Sequence, residues 1–168
     1  MYWIVLVGIA TGMRAFTPMA VICWGARLGY LKLDGTWAIW VTTPGFLIVF
    51  TAAALGEYVW DTWPGVPARK TTGPLVGRIV LGALAGAVLA TSVMEPIAGG
   101  MVFGVLGALV GAFGGYRARM YMARVVGRDL PVALTESALT LGMAVAVVLT
   151  FYMAYIAETF PSVLSVPR

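Results

Sequence analysis

The sequence predicts an all-α protein, a polytopic bundle of transmembrane helices that forms a single domain over residues 1–168. Of its residues, 61% are hydrophobic and only 11% are charged, with a mean hydropathy of +0.93. Soluble domains contain about 25% charged residues. Apolar runs close to the roughly 20 residues that cross a bilayer as a helix alternate with short polar segments. The chain therefore has room for about five spans.

The first predicted span, Met1 to Arg27, contains a charged residue and a proline in its interior. It lacks the basic start of a signal peptide, so we expect it to be retained. Pro18 removes a backbone donor and clashes with the carbonyl four residues earlier, that of Arg14. We expect the first helix to be broken or kinked near Arg14–Pro18. Such a break is tolerated at membrane depth only inside protein or beside water.

Four further spans are predicted from apolar runs bounded by aromatic anchors, prolines or charges. They cover residues 37–60, 75–94, 97–116 and 131–156. A charged loop joins the second span to the third, and Glu95–Pro96 forms the next turn. A basic loop beginning at Arg117 joins the last two. Pro74 and Pro131 each open a small-residue helix, a pattern that fits a parallel two-helix repeat, although proline is common at any helix start.

Basic residues are unevenly distributed over the predicted loops. With five spans, one side of the membrane carries seven of them, namely Arg69, Lys70, Arg78, Arg117, Arg119, Arg124 and Arg128. Cytoplasmic loops are enriched in lysine and arginine. This distribution predicts that the N-terminus lies inside the cell and the C-terminus outside.

Small residues recur every three or four positions in the third and fourth spans. The series are Gly82, Gly86 and Ala90, then Gly100, Gly104, Gly107, Gly111 and Gly114. Such seams allow helix backbones to approach closely. They predict either helix packing within one chain or a homo-oligomer interface.

Six charged residues at or below the predicted inner surface form a candidate substrate-binding site: Arg14, Glu57, Asp61, Arg78, Arg117 and Glu136. Charges at this depth are costly, so they are paired or functional. We expect Glu57 to face Arg78, and Glu136 to pair with Arg117 or Arg14. The partner of Arg14 must come from another helix or from a ligand. The set would line a small cavity for an anionic or zwitterionic ligand, or form a dry ion-pair network.

The composition also excludes several chemistries. Histidine is absent and Cys23 is the single cysteine, which excludes Ser-His-Asp catalysis, histidine-ligated haem and cysteine metal clusters. No cofactor is predicted. The net charge of +4 indicates loops that meet anionic lipid rather than a nucleic-acid partner.

Three functional classes remain open. A transporter or channel-like protein would explain the broken helix and the buried charges. A scaffold or assembly protein would need only glycine seams and structural ion pairs. An enzyme acting on a phosphate-bearing lipid would hold Mg²⁺ with Glu57 and Asp61, but the sequence offers no strong nucleophile and no second carboxylate cluster.

The ordered motifs GMRAFTP, GE, GGYRAR and ALTE resemble a small bacterial integral-membrane family known as domain of unknown function 4126. The resemblance extends from Gly8 to about Val148 and departs from the family pattern at Arg69–Lys70, where relatives often have Ser-Arg. It implies a protein of the bacterial cytoplasmic membrane and no particular activity. The matching positions are Arg14, Thr17, Pro18, Glu57, Pro67, Pro74, Arg78, Gly114, Gly115, Tyr116 and Glu136.

Overall fold

A computed structural model describes residues 2–60 and 72–159, without the side chains of Asp129 and Glu158. In these residues the regular structure is entirely helical, which confirms the predicted all-α class. The helices are α1 (Tyr2–Met13), α2 (Thr17–Arg27), α3 (Pro44–Trp60), α4 (Thr72–Ser92), α5 (Ile97–Val126) and α6 (Asp129–Thr159), with a 3₁₀ helix (Trp37–Thr42) before α3.

The first predicted span is broken where the sequence indicates. Helix α1 ends at Met13, α2 begins at Thr17, and the three residues between them form a bend. Pro18 lies in the first turn of α2, where a missing N–H removes no intrahelical hydrogen bond. The proline therefore starts the second helix as well as ending the first.

The two halves of this span run in opposite directions. Gly8 and Gly12 lie against Gly107 and Gly111 of α5, respectively, so α1 is parallel to α5. After α2, the indole of Trp37 donates a hydrogen bond of 2.9 Å to Thr91 at the end of α4. Ile4, near the start of α1, packs beside Gly86 in the second half of α4. The chain after α2 has therefore returned to the end of the bundle at which α1 begins.

Helices α1 and α2 are therefore an antiparallel hairpin and not one kinked crossing, which corrects the expectation for Met1–Arg27. Other contacts agree with this direction. Trp24 bonds Thr51 of α3 at 3.2 Å, and Thr17 bonds Tyr58 further along α3 at 3.0 Å, so α3 is antiparallel to α2. Proline chemistry specifies the break, but the direction that follows depends on what each half packs against.

The six α-helices alternate in direction, so the start of α1 and the described end of α6 lie at the same end of the bundle. We call this the terminal end; it also holds residues 28–43 and 93–96. The opposite end, with the α1–α2 turn, the end of α3 and the α5–α6 turn, is called the basic end. Five crossings would have placed Tyr2 and Thr159 at opposite ends. The pairs α3–α4 and α5–α6 share one direction, as a parallel repeat requires.

Within the described residues, three helices are long and apolar enough to cross a membrane: α4, α5 and residues Leu130–Ala157 of α6. Helices α1 and α3 are shorter apolar helices. Large apolar side chains are exposed along the outside of the bundle, among them Ile48, Leu55, Val110, Leu134 and Leu149. Apolar exposure on this scale is what a lipid-facing surface requires.

Helix α5 is longer than predicted, because the expected basic loop after Tyr116 is helical. The helix continues to Val126 and ends at Gly127, whose φ of 71° is the left-handed conformation that glycine adopts easily. Its 30 residues correspond to about 45 Å. A hydrocarbon core is about 30 Å thick, so α5 is longer than an upright helix needs to be to cross it.

Helix α5 packs against both α1 and α4. Gly82 and Gly86 of α4 meet Gly104 and Gly100 of α5, and any added Cβ would clash with the opposite backbone. The predicted small-residue seam therefore packs helices within one chain. Gly114 is an exception, since nothing lies within 4 Å of a Cβ placed there. Homo-oligomerisation stays a prediction.

Candidate functional site

The turn between α1 and α2 is held by a carboxylate from α3. Glu57 Oε1 accepts a hydrogen bond from the backbone N–H of Ala15 at 2.9 Å, and Oε2 accepts one from Phe16 at 3.1 Å. A helix start leaves backbone donors without intrahelical partners, and its dipole favours negative charge. Glu57 therefore caps the start of α2 from a different helix.

The same carboxylate pairs with an arginine of α4. Arg78 Nη2 lies 3.5 Å from Glu57 Oε1, and the two side chains are only 6% and 9% exposed. Arg78 Nη1 also donates to the carbonyl of Pro74 at 3.1 Å, one turn earlier. The predicted pairing of Glu57 with Arg78 across the ends of two helices is thus confirmed.

Arg14 is 2% exposed and binds groups from two other helices. Its Nη2 donates to Ser137 Oγ of α6 at 2.8 Å, and its Nη1 donates to the backbone carbonyl of Glu57 at 3.4 Å. The guanidinium carbon lies 4.8 Å from the centre of the Tyr58 ring, within the range of a cation–π contact. Tyr58 in turn bonds Thr17. As the sequence predicts, these partners come from outside α1.

Glu136 of α6 pairs with Arg119, at 3.6 Å, and not with Arg117 or Arg14 as expected. The reason is the helical extension of α5. Two residues along a helix are rotated by about 200°, so Arg117 and Arg119 lie on nearly opposite faces. Arg119 is four residues after Gly115, and a Cβ placed on Gly115 would lie 3.8 Å from Glu136 Oε1. Arg119 is therefore on the face of α5 that meets Glu136, whereas Arg117 is exposed.

The predicted site residues thus divide into three groups. Arg14, Glu57 and Arg78 meet at the α1–α2 turn, and Glu136 lies next to the serine that binds Arg14. Arg117 is outside this cluster, and Asp61 is outside the described residues. The predicted cavity among the six residues stays a prediction. We call Arg14, Glu57, Arg78, Arg119 and Glu136, with Tyr58 and Ser137, the buried polar cluster.

The six predicted site residues do not include Tyr58, Ser137 or Arg119. Tyr58 lies near the end of an apolar run, a position that in the sequence alone is typical of an interfacial aromatic anchor. Ser137 follows Glu136 directly, and the rotation between them turns the serine toward Arg14. The spacing of four residues from Gly115 to Arg119 could have indicated that both lie on one helix face. That inference requires α5 to be helical beyond Tyr116.

The described side chains of the cluster carry more positive than negative charge. Its described side chains include three arginines and two glutamates, which sum to +1. In the part of the chain that the structure describes, no three Asp, Glu, Cys or His side chains come together as metal ligands would. One negative charge, from Asp61 or from a ligand, would balance these five described side chains.

Helices of membrane-spanning length, an apolar exterior and a buried polar cluster define a helical membrane protein. The chain belongs to the family described as domain of unknown function (DUF4126), whose model matches residues 2–166. This confirms the resemblance drawn from the motifs. No curated protein and no solved structure matches the chain.

Proposed function

We propose that the protein is a transporter or channel-like protein of the bacterial cytoplasmic membrane for a small anionic or zwitterionic solute. The observation that carries the proposal is the buried turn between two half-length helices. There the Glu57 carboxylate accepts from the turn and faces Arg78, and Arg14 donates to the Glu57 backbone carbonyl. In secondary transporters, interrupted helices place backbone donors at membrane depth, where they bind anionic groups of the substrate.

Glu57 suggests how a solute would bind. Its carboxylate accepts from two backbone N–H groups and faces Arg78, so it has the contacts that a solute carboxylate or phosphate would make. An anionic solute would compete with Glu57 for these donors. Displacement of Glu57 would release the end of α3 from the α1–α2 turn, which would couple solute binding to a movement of the hairpin.

The excess positive charge supports an anion in preference to a cation. If the solute supplies the missing charge, Asp61→Asn should leave its binding intact. If Asp61 supplies it, the same substitution should create a positive site and increase anion affinity. In both cases Arg78→Gln should weaken binding, because arginine can bond a carboxylate or phosphate through two N–H groups at once.

The orientation of this protein is also proposed. The basic end carries Arg117, Arg119, Arg124 and Arg128, so the positive-inside rule places it in the cytoplasm. Since α1 begins and α6 ends at the terminal end, both would then lie outside. The C-terminal placement agrees with the five-span expectation, and the N-terminal placement reverses it.

The test is solute-dependent current and uptake in proteoliposomes that contain purified protein. Probes are inorganic phosphate, mono- and dicarboxylates, amino acids and betaines. We expect transport of at least one probe, lost in Arg78→Gln and retained in Arg117→Gln, a matched control because Arg117 is exposed at the same end. Folded wild-type protein that neither binds nor moves any probe would contradict the proposal.

A membrane scaffold or assembly role is the second candidate. The observation that favours it is that Glu57 already satisfies both turn amides and Arg78, as a purely structural network does. In that case Glu57→Gln would lower stability without changing any solute response. In a transporter it would increase anion affinity, because a neutral amide competes less well for the arginine.

A further inference from the structure

A polar pocket of about 320 Å³ lies at the terminal end, away from the buried polar cluster. It is formed by the end of α2, the segment after it, the 3₁₀ helix and Tyr155 of α6. Its charged side chains are Arg27, Lys32 and Asp34, and Lys32 Nζ lies 5.6 Å from the centre of the Tyr155 ring. Two cations against one carboxylate favour a ligand that carries negative charge.

An apolar groove of about 200 Å³ lies in the seam between α2 and α6. Leu28 and Tyr30 line the groove, whereas Arg27 and Gly29 line the pocket. The groove continues toward the middle of the bundle along Val21, Trp24 and Gly25 of α2 and Val145, Val148 and Leu149 of α6. Pocket and groove therefore flank the same turn of chain, residues 27–30.

That turn has a defined geometry. Gly29 has a φ of 79°, in the left-handed region that glycine tolerates best, and Tyr30 N–H donates to the carbonyl of Gly25 at 2.8 Å. This is the hydrogen bond of a Schellman helix end. The Tyr30 ring also packs on Tyr152 of α6, with ring centres 4.8 Å apart. The junction between charged pocket and apolar groove is thus tied to both helices.

We propose that this seam binds one phospholipid molecule, with its phosphate beside Arg27 and Lys32 and one acyl chain in the groove. A charged pocket at the end of the bundle and an apolar groove beside the same turn match the two parts of such an amphiphile. Asp34 would meet the amine of an ethanolamine headgroup. A soluble phosphate would use only the pocket and would leave the groove without a role.

The experiment is native mass spectrometry of the purified full chain, titrated separately with phosphatidylethanolamine and with phosphatidylglycerol. We expect one retained lipid, with affinity reduced about tenfold in Arg27→Gln and in Lys32→Gln, since one charge-assisted contact is worth about 1.4 kcal/mol. Leu149→Trp should weaken lipid binding by filling the groove, and its 44% exposure leaves space for the ring without disturbing the core.

Two matched controls accompany these variants. Leu139→Trp adds the same ring at a position of α6 that is 56% exposed and outside the groove, and Arg117→Gln removes an arginine at the other end. Both should bind lipid as the wild type does. Glycerol phosphate without acyl chains should bind far more weakly than lipid. If it binds equally well and Leu149→Trp has no effect, the pocket is a soluble-anion site and the lipid proposal is wrong. Lipid retention that is independent of Arg27 and Lys32 would also overturn it.

Discussion

Glu57 Oε1 lies 2.9 Å from the backbone nitrogen of Ala15, a contact that joins the end of α3 to the turn between α1 and α2. The same carboxylate caps the turn at Phe16 and balances the charge of Arg78. One side chain therefore supports an interrupted helix and neutralises a buried cation. A change at this position should affect both roles.

Glu57→Gln should lower the free energy of unfolding by about 3 kcal/mol, because it removes the carboxylate charge that faces the buried guanidinium of Arg78. Unfolding in mixed micelles measures the loss. Glu95→Gln is the control, since Glu95 is exposed in the α4–α5 turn and should change stability by at most about 0.5 kcal/mol. Equal effects of the two substitutions would show that the pair does not stabilise the fold.

Arg14→Lys tests the geometry of the guanidinium apart from its charge. A lysine ammonium cannot bond Ser137 and the Glu57 carbonyl together while it lies over the Tyr58 ring. We expect a loss of about 1–2 kcal/mol in the free energy of unfolding, on the order of one or two hydrogen bonds. If Arg14 also binds solute, solute affinity in the binding assay should fall much further than stability does. Equal stability of the lysine variant and the wild type would argue against these contacts.

The Arg119–Glu136 pair can be tested by a double-mutant cycle. Arg119→Gln, Glu136→Gln and the double variant should show a coupling of about 1–2 kcal/mol, because the two groups are 3.6 Å apart and mostly buried. The same cycle with Arg117→Gln should give a coupling near zero. A larger coupling for Arg117 would restore the pairing that the sequence suggested.

Gly12→Ala should destabilise the hairpin against α5. The added Cβ would lie 2.7 Å from Gly111 Cα, a clash with backbone that only separation of the helices can relieve. We expect a loss of about 2–3 kcal/mol, as for other overpacked contacts. Gly114→Ala is the matched control on α5, where open space and the better helix propensity of alanine predict no loss of stability. Thermal unfolding of both variants in detergent decides between these outcomes.

Cysteine labelling tests the hairpin directly. The structure places Tyr2 and Met94 at the terminal end and Arg124 at the basic end. Tyr2→Cys and Met94→Cys should therefore react alike with a membrane-impermeant maleimide on intact cells, and Arg124→Cys should behave in the opposite way. Native Cys23 is fully buried and should add little background. If Tyr2→Cys instead reacts as Arg124→Cys does, the two residues lie on the same side of the membrane. Residues 1–27 would then cross it once, and the hairpin would be wrong.

Several features followed from local chemistry and needed no three-dimensional information. The scarcity of charge and the length of the apolar runs indicate a membrane bundle, because hydrocarbon excludes unpaired polar groups. Pro18 locates the break, because a proline acts on the carbonyl one turn before it. The pairing of Glu57 with Arg78 followed from two isolated charges at the ends of consecutive helices.

Tertiary packing decided the remaining features. The sequence around Arg14 specifies that the helix stops but carries no signal for the direction in which the chain resumes. That direction results from the fit of Gly8 and Gly12 against α5 and of Gly25 against Val148 of α6. The choice of Arg119 over Arg117 has the same origin, because it depends on which face of an extended α5 meets Glu136. Close packing between elements distant in the chain, rather than local propensity, set the topology and the composition of the buried polar cluster.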